Sequence, residues 1–151
     1  MTITNMDNFS KLALRYVYYL DMWGGETFVV AMRFLHKCPW ERLETLREKV
    51  PDVPFQILLR GANTVGYTNY PNNLVQKFCK EASKSGVEIF CIFNSINYID
   101  NLKLGGDAAG SAGGFMEGTL SYMGGVLDPK KVKYDLEYYI KITRDLSDMG
   151  F

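Results

Sequence analysis

The chain has 151 residues and a mass of 17.2 kDa, with 47% hydrophobic and 23% charged side chains. Lysine plus arginine number 17, as do aspartate plus glutamate, so the net charge is zero and the pI lies near 6.6. Those values suit one domain over residues 1–151 and argue against a nucleic-acid binder, which carries a basic footprint. No apolar run approaches the roughly 18–20 residues of a membrane span.

The opening Met1-Thr2-Ile3-Thr4-Asn5-Met6-Asp7 lacks the basic and apolar regions of a secretory signal, and it is not Arg/Ser-rich like a transit peptide. Cys38, Cys79 and Cys91 form no C-x-x-C pair and predict free thiols in a reducing compartment, so the Asn8-Phe9-Ser10 sequon carries no meaning. The expectation is an intracellular soluble chain, cytoplasmic or in the mitochondrial matrix, with no targeting signal visible. A zinc site of His and Cys needs three or four converging ligands, and His36 is the single histidine. It follows the apolar run Phe28–Leu35 and reads as a packed or partly exposed helical residue rather than a catalytic base. Neither G-x-x-x-x-G-K-[ST] nor G-x-G-x-x-G occurs.

Strand and helix signals alternate along the chain. Tyr16-Val17-Tyr18-Tyr19-Leu20 predicts a first strand closed by Gly24-Gly25, and Thr27 caps a buried helix to about Lys37. Pro39 opens a second helix in which Trp40, Leu43, Leu46 and Val50 share one face while Glu44, Arg47 and Glu48 meet water. Phe55–Leu59 is a second strand ending at Arg60-Gly61. Pro71 precedes a helix with Leu74, Val75, Phe78, Cys79 and Ala82 in one stripe, stopped by Gly86. Val87–Phe93 is a third strand, apolar except for Glu88, as buried parallel strands are. Leu102–Ser111 is a Gly/Ala-rich helix. Gly110 and Gly113-Gly114 there serve close packing or cradle a cofactor. Phe115–Met123 is a fourth strand, and Tyr134–Met149 a closing helix with Leu136, Tyr139, Ile140 and Leu146 inward.

Consecutive βα units without a hairpin signal predict an α/β fold with a parallel sheet, either doubly wound or part of a (β/α)8 barrel. A whole barrel needs about 250 residues, so four units make a partial TIM barrel. Such folds place their sites at the C-terminal strand ends, which here are Trp23, Arg60, Asn94 and Tyr122. Arg60, after a run of apolar residues, either clamps a planar carboxylate through parallel hydrogen bonds or pairs with a neighbouring acid at the rim.

The run Leu58-Leu59-Arg60-Gly61-Ala62-Asn63-Thr64-Val65-Gly66-Tyr67-Thr68-Asn69-Tyr70-Pro71 resembles the LLRGAN-x-VGYTNYP segment of the pyruvate carboxylase carboxyltransferase domain. Met22-Trp23-Gly24-Gly25 with Thr27-Phe28 resembles the family's WGGATFD. Ala31–Leu35 with Cys38-Pro39-Trp40 resembles its AMRFL…PW, Ala108–Gly114 its EAAGSAGG, and Lys133-Tyr134 with Tyr138-Tyr139 its KYSLxYY. Oxaloacetate decarboxylase and transcarboxylase subunits share the domain but tend to carry RGQN, and alanine at the position of Ser95.

The resemblance implies a TIM barrel that moves a carboxyl group from carboxybiotin to pyruvate, giving oxaloacetate, with biotin and a divalent metal (Zn or Mn) as cofactors. It places Arg60 at the pyruvate carboxylate and Tyr67 near the biotin entrance. It also exposes departures. The family's first-strand TLRDAHQS-like segment has no counterpart before Asn8, and its lysine and histidine metal ligands fall beyond Phe151. No metal ligand is therefore expected here. The aspartate of WGGATFD falls at Val29 and that of RVFDSLN at Asn94, with Cys91 at the arginine of the latter. Met123 and Gly125 replace the threonine and aspartate of YTGD. The chain reads as a truncated and partly decayed carboxyltransferase, inactive in isolation and binding neither cofactor alone. The alternative is a stand-alone remnant acting by self-association or by pairing with the rest of a carboxylase. Pyruvate binding, if retained, is weak.

Overall fold

The computed structural model describes residues 17–130 and 133–151. Among them four strands, β1 (Leu20–Gly24), β2 (Phe55–Leu59), β3 (Val87–Phe93) and β4 (Phe115–Thr119), form one sheet in the order β1-β2-β3-β4. All three pairings are parallel. The connections carry helices α1 (Gly25–Arg33), α2 (Pro39–Lys49), α3 (Asn72–Lys84) and α4 (Ile99–Ser111), and α5 (Leu136–Asp148) follows β4. A doubly wound sheet reverses its strand order at a switch point. The sequential order here has no reversal, so the sheet is a barrel segment. No helix among the described residues is long and apolar enough to cross a membrane.

The core lies between the sheet and its helices. Phe55, Ile57 and Leu59 of β2 and Phe90 and Ile92 of β3 are fully buried, packed with Leu43 and Leu46 of α2, Val75 and Phe78 of α3 and Leu102 of α4. Trp23 enters it through an aromatic cluster, its ring 5.0 Å from Trp40 and 5.9 Å from Phe78. Such pairs add about 0.5–1.5 kcal/mol each beyond the area they bury. At Gly114 a Cβ would lie 2.4 Å from the Phe90 ring, so this position of the Gly/Ala-rich stretch serves close packing.

The strand and helix limits differ from the sequence expectation where tertiary pairing overrides local propensity. The first strand runs over Leu20–Gly24 rather than Tyr16–Leu20, of which Tyr16 lies outside the described residues. Its register pairs Leu20 with Phe55 and Gly24 with Leu58, and residues before Leu20 would lie past the start of β2 with nothing to pair. The following helix begins at Gly25 and ends at Arg33, and it is not buried: among its residues Gly25 and Ala31 are buried, whereas Met32 is exposed, as are Phe34 and Leu35 just beyond. His36 is neither helical nor packed; it is exposed with φ 50° in the turn that follows. Leu74 is exposed beside the buried stripe of α3. The fourth strand stops at Thr119, opposite the end of β3 at Phe93. Past that point Asn97 holds Ser121, accepting its N–H at 2.7 Å and donating to its carbonyl at 2.9 Å. In α5 the inward residues are Ile142 and Leu146, whereas Leu136 and Ile140 are exposed. The Tyr139 hydroxyl accepts the Met123 N–H at 2.8 Å, which sets the helix in that rotation.

Arg47 departs most from expectation. It does not face water; its guanidinium donates to the carbonyls of Val50 (3.1 Å), Val53 (3.0 Å) and Gly86 (2.6 Å) and to Glu88 Oε2 (2.6 Å). It also stacks 3.7 Å from the Phe55 ring centroid, and Glu88 in turn accepts the Phe55 N–H at 2.7 Å. This group ties α2 to the N-terminal ends of β2 and β3. Arg47→Ala strands several partly buried acceptors and should cost about 2–3 kcal/mol in urea unfolding. A loss below about 0.5 kcal/mol, typical of a surface substitution, would contradict this assignment.

Candidate functional site

Along β2 the odd residues Phe55, Ile57 and Leu59 face the helices, so Gln56, Leu58 and the residue after the strand face the other side. Arg60 is that residue. The chain then turns through a single 3-10 turn at Gly61–Asn63, where Gly61 takes φ 48° and a Cβ would collide with Asn101. Asn101 Oδ1 accepts the Ala62 N–H at 3.2 Å, and Thr64 O accepts the Arg60 N–H at 2.9 Å. These bonds fold Gly61–Gly66 back over the strand end and bring Tyr67 beside Arg60, whose Cζ lies 5.0 Å from the ring centroid.

A third side chain joins them. Glu26, in the first turn of α1, accepts from Arg60 Nη2 at 3.2 Å and from the Tyr67 hydroxyl at 2.9 Å, both on Oε1. Arg60 Nη1 donates to the Gly66 carbonyl at 3.3 Å. Further N–H groups of the guanidinium fork have no partner among the described residues. The side chain of Glu26 is 70% exposed and that of Arg60 25%, so the pair sits at the mouth of an open cleft. The cleft holds about 300 Å³ and is lined by Asp21, Gly24, Glu26, Thr27, Leu58 and Arg60 among others. The Tyr67 hydroxyl, and then Arg60, hold the Glu26 carboxyl below the usual carboxylate range.

Sequence reading missed Glu26. The signal was available, because an acid in the first turn after a C-terminal strand end lies where such folds build sites. Of the other strand-end residues, Trp23 is buried in the aromatic cluster and Tyr122 is exposed against Tyr139 at 5.2 Å. Asn94 caps its own loop, with Oδ1 accepting the N–H groups of Ile96 at 3.0 Å and Tyr98 at 3.1 Å. Val29 is half-buried on α1, one turn beyond Glu26. On the same side of the sheet as Arg60, Cys91 pairs with Thr119 at 2.9 Å between Sγ and Oγ1. All three cysteines are free; burial pushes the Cys79 thiol up to about 12 and raises that of Cys91. Among the described residues no three His, Cys, Asp or Glu side chains gather to hold a metal ion.

No protein-family model matches the chain. Human mitochondrial pyruvate carboxylase is 54% identical over 143 residues, 95% of this chain and 12% of that protein. The Schizosaccharomyces pombe pyruvate carboxylase is 49% identical over 148 residues, 98% of this chain. The carboxyl transferase domain of Rhizobium etli pyruvate carboxylase, solved with pyruvate and biocytin, superimposes with a TM-score of 0.91 at 40% identity. That match covers 98% of this chain and 25% of the solved one.

The chain is a homologue of part of the pyruvate carboxylase carboxyltransferase domain.

The chain spans about 12% of the length of the curated pyruvate carboxylases it matches. Its four-stranded sheet superimposes on part of the Rhizobium etli carboxyl transferase domain, and Arg60, Tyr67 and Glu26 stand where β1 and β2 end. Because the folded pKa of Glu26 is depressed, its contribution to stability is complete above the unfolded value and is lost as pH falls through the folded value. Carboxyl-carbon NMR titration should show the Glu26 midpoint rising toward the ordinary value in Tyr67→Phe and in Arg60→Ala. Unchanged midpoints in both variants would contradict the three-residue contact.

Proposed function

We propose that this chain forms the pyruvate-binding arc of a carboxyltransferase barrel, in which a carboxyl group passes from carboxybiotin to pyruvate and oxaloacetate results. The observation that supports this reading is the end-to-end similarity to the Rhizobium etli domain, whose structure was determined with pyruvate and biocytin. In this reading Arg60 holds the substrate carboxylate through parallel N–H bonds, and its position at the end of a largely buried strand limits how far it can move. Tyr67 lies against the guanidinium with its hydroxyl bonded to Glu26, and on this reading it stands near where biotin enters. Biotin, when bound, supplies the carboxyl group. On this proposal the ligands of the divalent metal that the family implies belong to barrel strands other than β1–β4.

Val29 and Asn94 stand where the resemblance places aspartates, and neither side chain can act as a carboxylate base. A second reading, a non-catalytic remnant acting by association, draws support from the apolar surface around Phe115, which is 75% exposed beside Tyr18 and Ile89. The two readings separate on turnover and binding. The purified 151-residue chain should show no metal-dependent carboxyl transfer to pyruvate, and Val29→Asp with Asn94→Asp should not restore it. Pyruvate titration followed by NMR should show weak saturable shifts that vanish in Arg60→Ala and persist in Tyr67→Phe. Turnover by the isolated chain would overturn the first expectation, and identical titrations for parent and Arg60→Ala would remove Arg60 from substrate binding.

A further inference from the structure

Arg60 already meets a carboxylate of its own chain through Nη2. Glu26 Oε1 lies 3.2 Å from Nη2 and 2.9 Å from the Tyr67 hydroxyl, so one acidic oxygen engages both residues assigned to the substrate. A soluble carboxylate approaching Arg60 meets this oxygen and, further down the cleft, Asp21 on β1. Like charges close together oppose binding, and an internal ligand competes at the effective concentration set by its tether. Glu26 is on the first turn of a helix that begins directly at the end of β1, so that tether is short and stiff. The side chain is nonetheless 70% exposed, so it can swing into solvent without disturbing the core.

We propose that Glu26 is an internal carboxylate latch on Arg60 that sets how tightly the cleft takes carboxylate ligands such as 2-oxo acids. This rests on Arg60 being the carboxylate clamp, as proposed above. A ligand of this class binds by displacing Glu26, whereas a neutral ketone has no such exchange to make.

The test is a pyruvate titration, by NMR or calorimetry, of the full 151-residue chain and its Glu26→Ala, Glu26→Gln, Arg60→Ala and Glu26→Ala/Arg60→Ala variants, with acetone as the neutral control. Circular dichroism melts confirm that each variant is folded, and Glu26→Gln keeps the shape while removing the charge. The expected result is pyruvate binding about two- to fivefold tighter in Glu26→Ala and Glu26→Gln than in the parent, the size of one exposed ion pair released. The gain should disappear in the double variant, and acetone should bind no variant better than the parent. Equal affinity of parent and both Glu26 variants, with loss in Arg60→Ala, overturns the latch and leaves the Arg60 clamp standing. Binding that is indifferent to Arg60 in every variant, or absent from all of them, overturns the clamp and the latch together.

Discussion

The alternation of side chains along β2 governs both the core and the site. Its helix-facing residues are sealed among α2, α3 and α4, which fixes the register against β1 and β3. Given that register, a one-residue slip would bury Arg60 and expose Leu59, at a cost no local contact could offset. The strand therefore carries an arginine system at each end. Below, Arg47 lies across Phe55 and joins the carbonyls of two turns to Glu88. Above, Arg60 leaves the core and meets Tyr67 and Glu26. Parallel barrels divide their labour this way, with stability at the N-terminal rim and chemistry at the C-terminal rim.

Much of this was legible in the sequence, in proportion to how local the cause was. Phe55–Leu59 and Val87–Phe93 occupy the predicted limits because apolar runs bounded by turn residues decide a buried strand by themselves. Pro39 began its helix at the first position, where its missing N–H costs nothing. The first strand was displaced because aromatic propensity at Tyr18 and Tyr19 cannot substitute for a partner strand. The rotation of α5 depended on hydroxyl contacts from Tyr138 and Tyr139 to two separate loops, 41 and 16 residues away, beyond the reach of periodicity. Arg47 was assigned to water because four of its acceptors are main-chain carbonyls, which leave no mark in a sequence pattern.

The site divides in the same manner. Arg60 and Tyr67 were visible as the strand end and its motif, yet their shared acid was not, since Glu26 comes from a different strand–helix junction. The similarity to pyruvate carboxylase accounts for the parallel arc of strands and helices. Glu26 gives this rim an electrostatic balance of its own, because the carboxylate offered to Arg60 is intramolecular. A valine at position 29 and an amide at position 94 remove two acids expected from the resemblance, while Asn94 keeps its loop through two main-chain bonds.

The most direct measurement is the mass of the endogenous protein, by denaturing blot with an antibody to residues 129–149 and peptide mass spectrometry. If the chain works as one arc of a carboxyltransferase barrel, the species will be much larger than 17.2 kDa and will yield peptides continuing past Phe151. A single 17.2 kDa species, with no larger form and no complementary barrel segment recovered with it, would contradict that account.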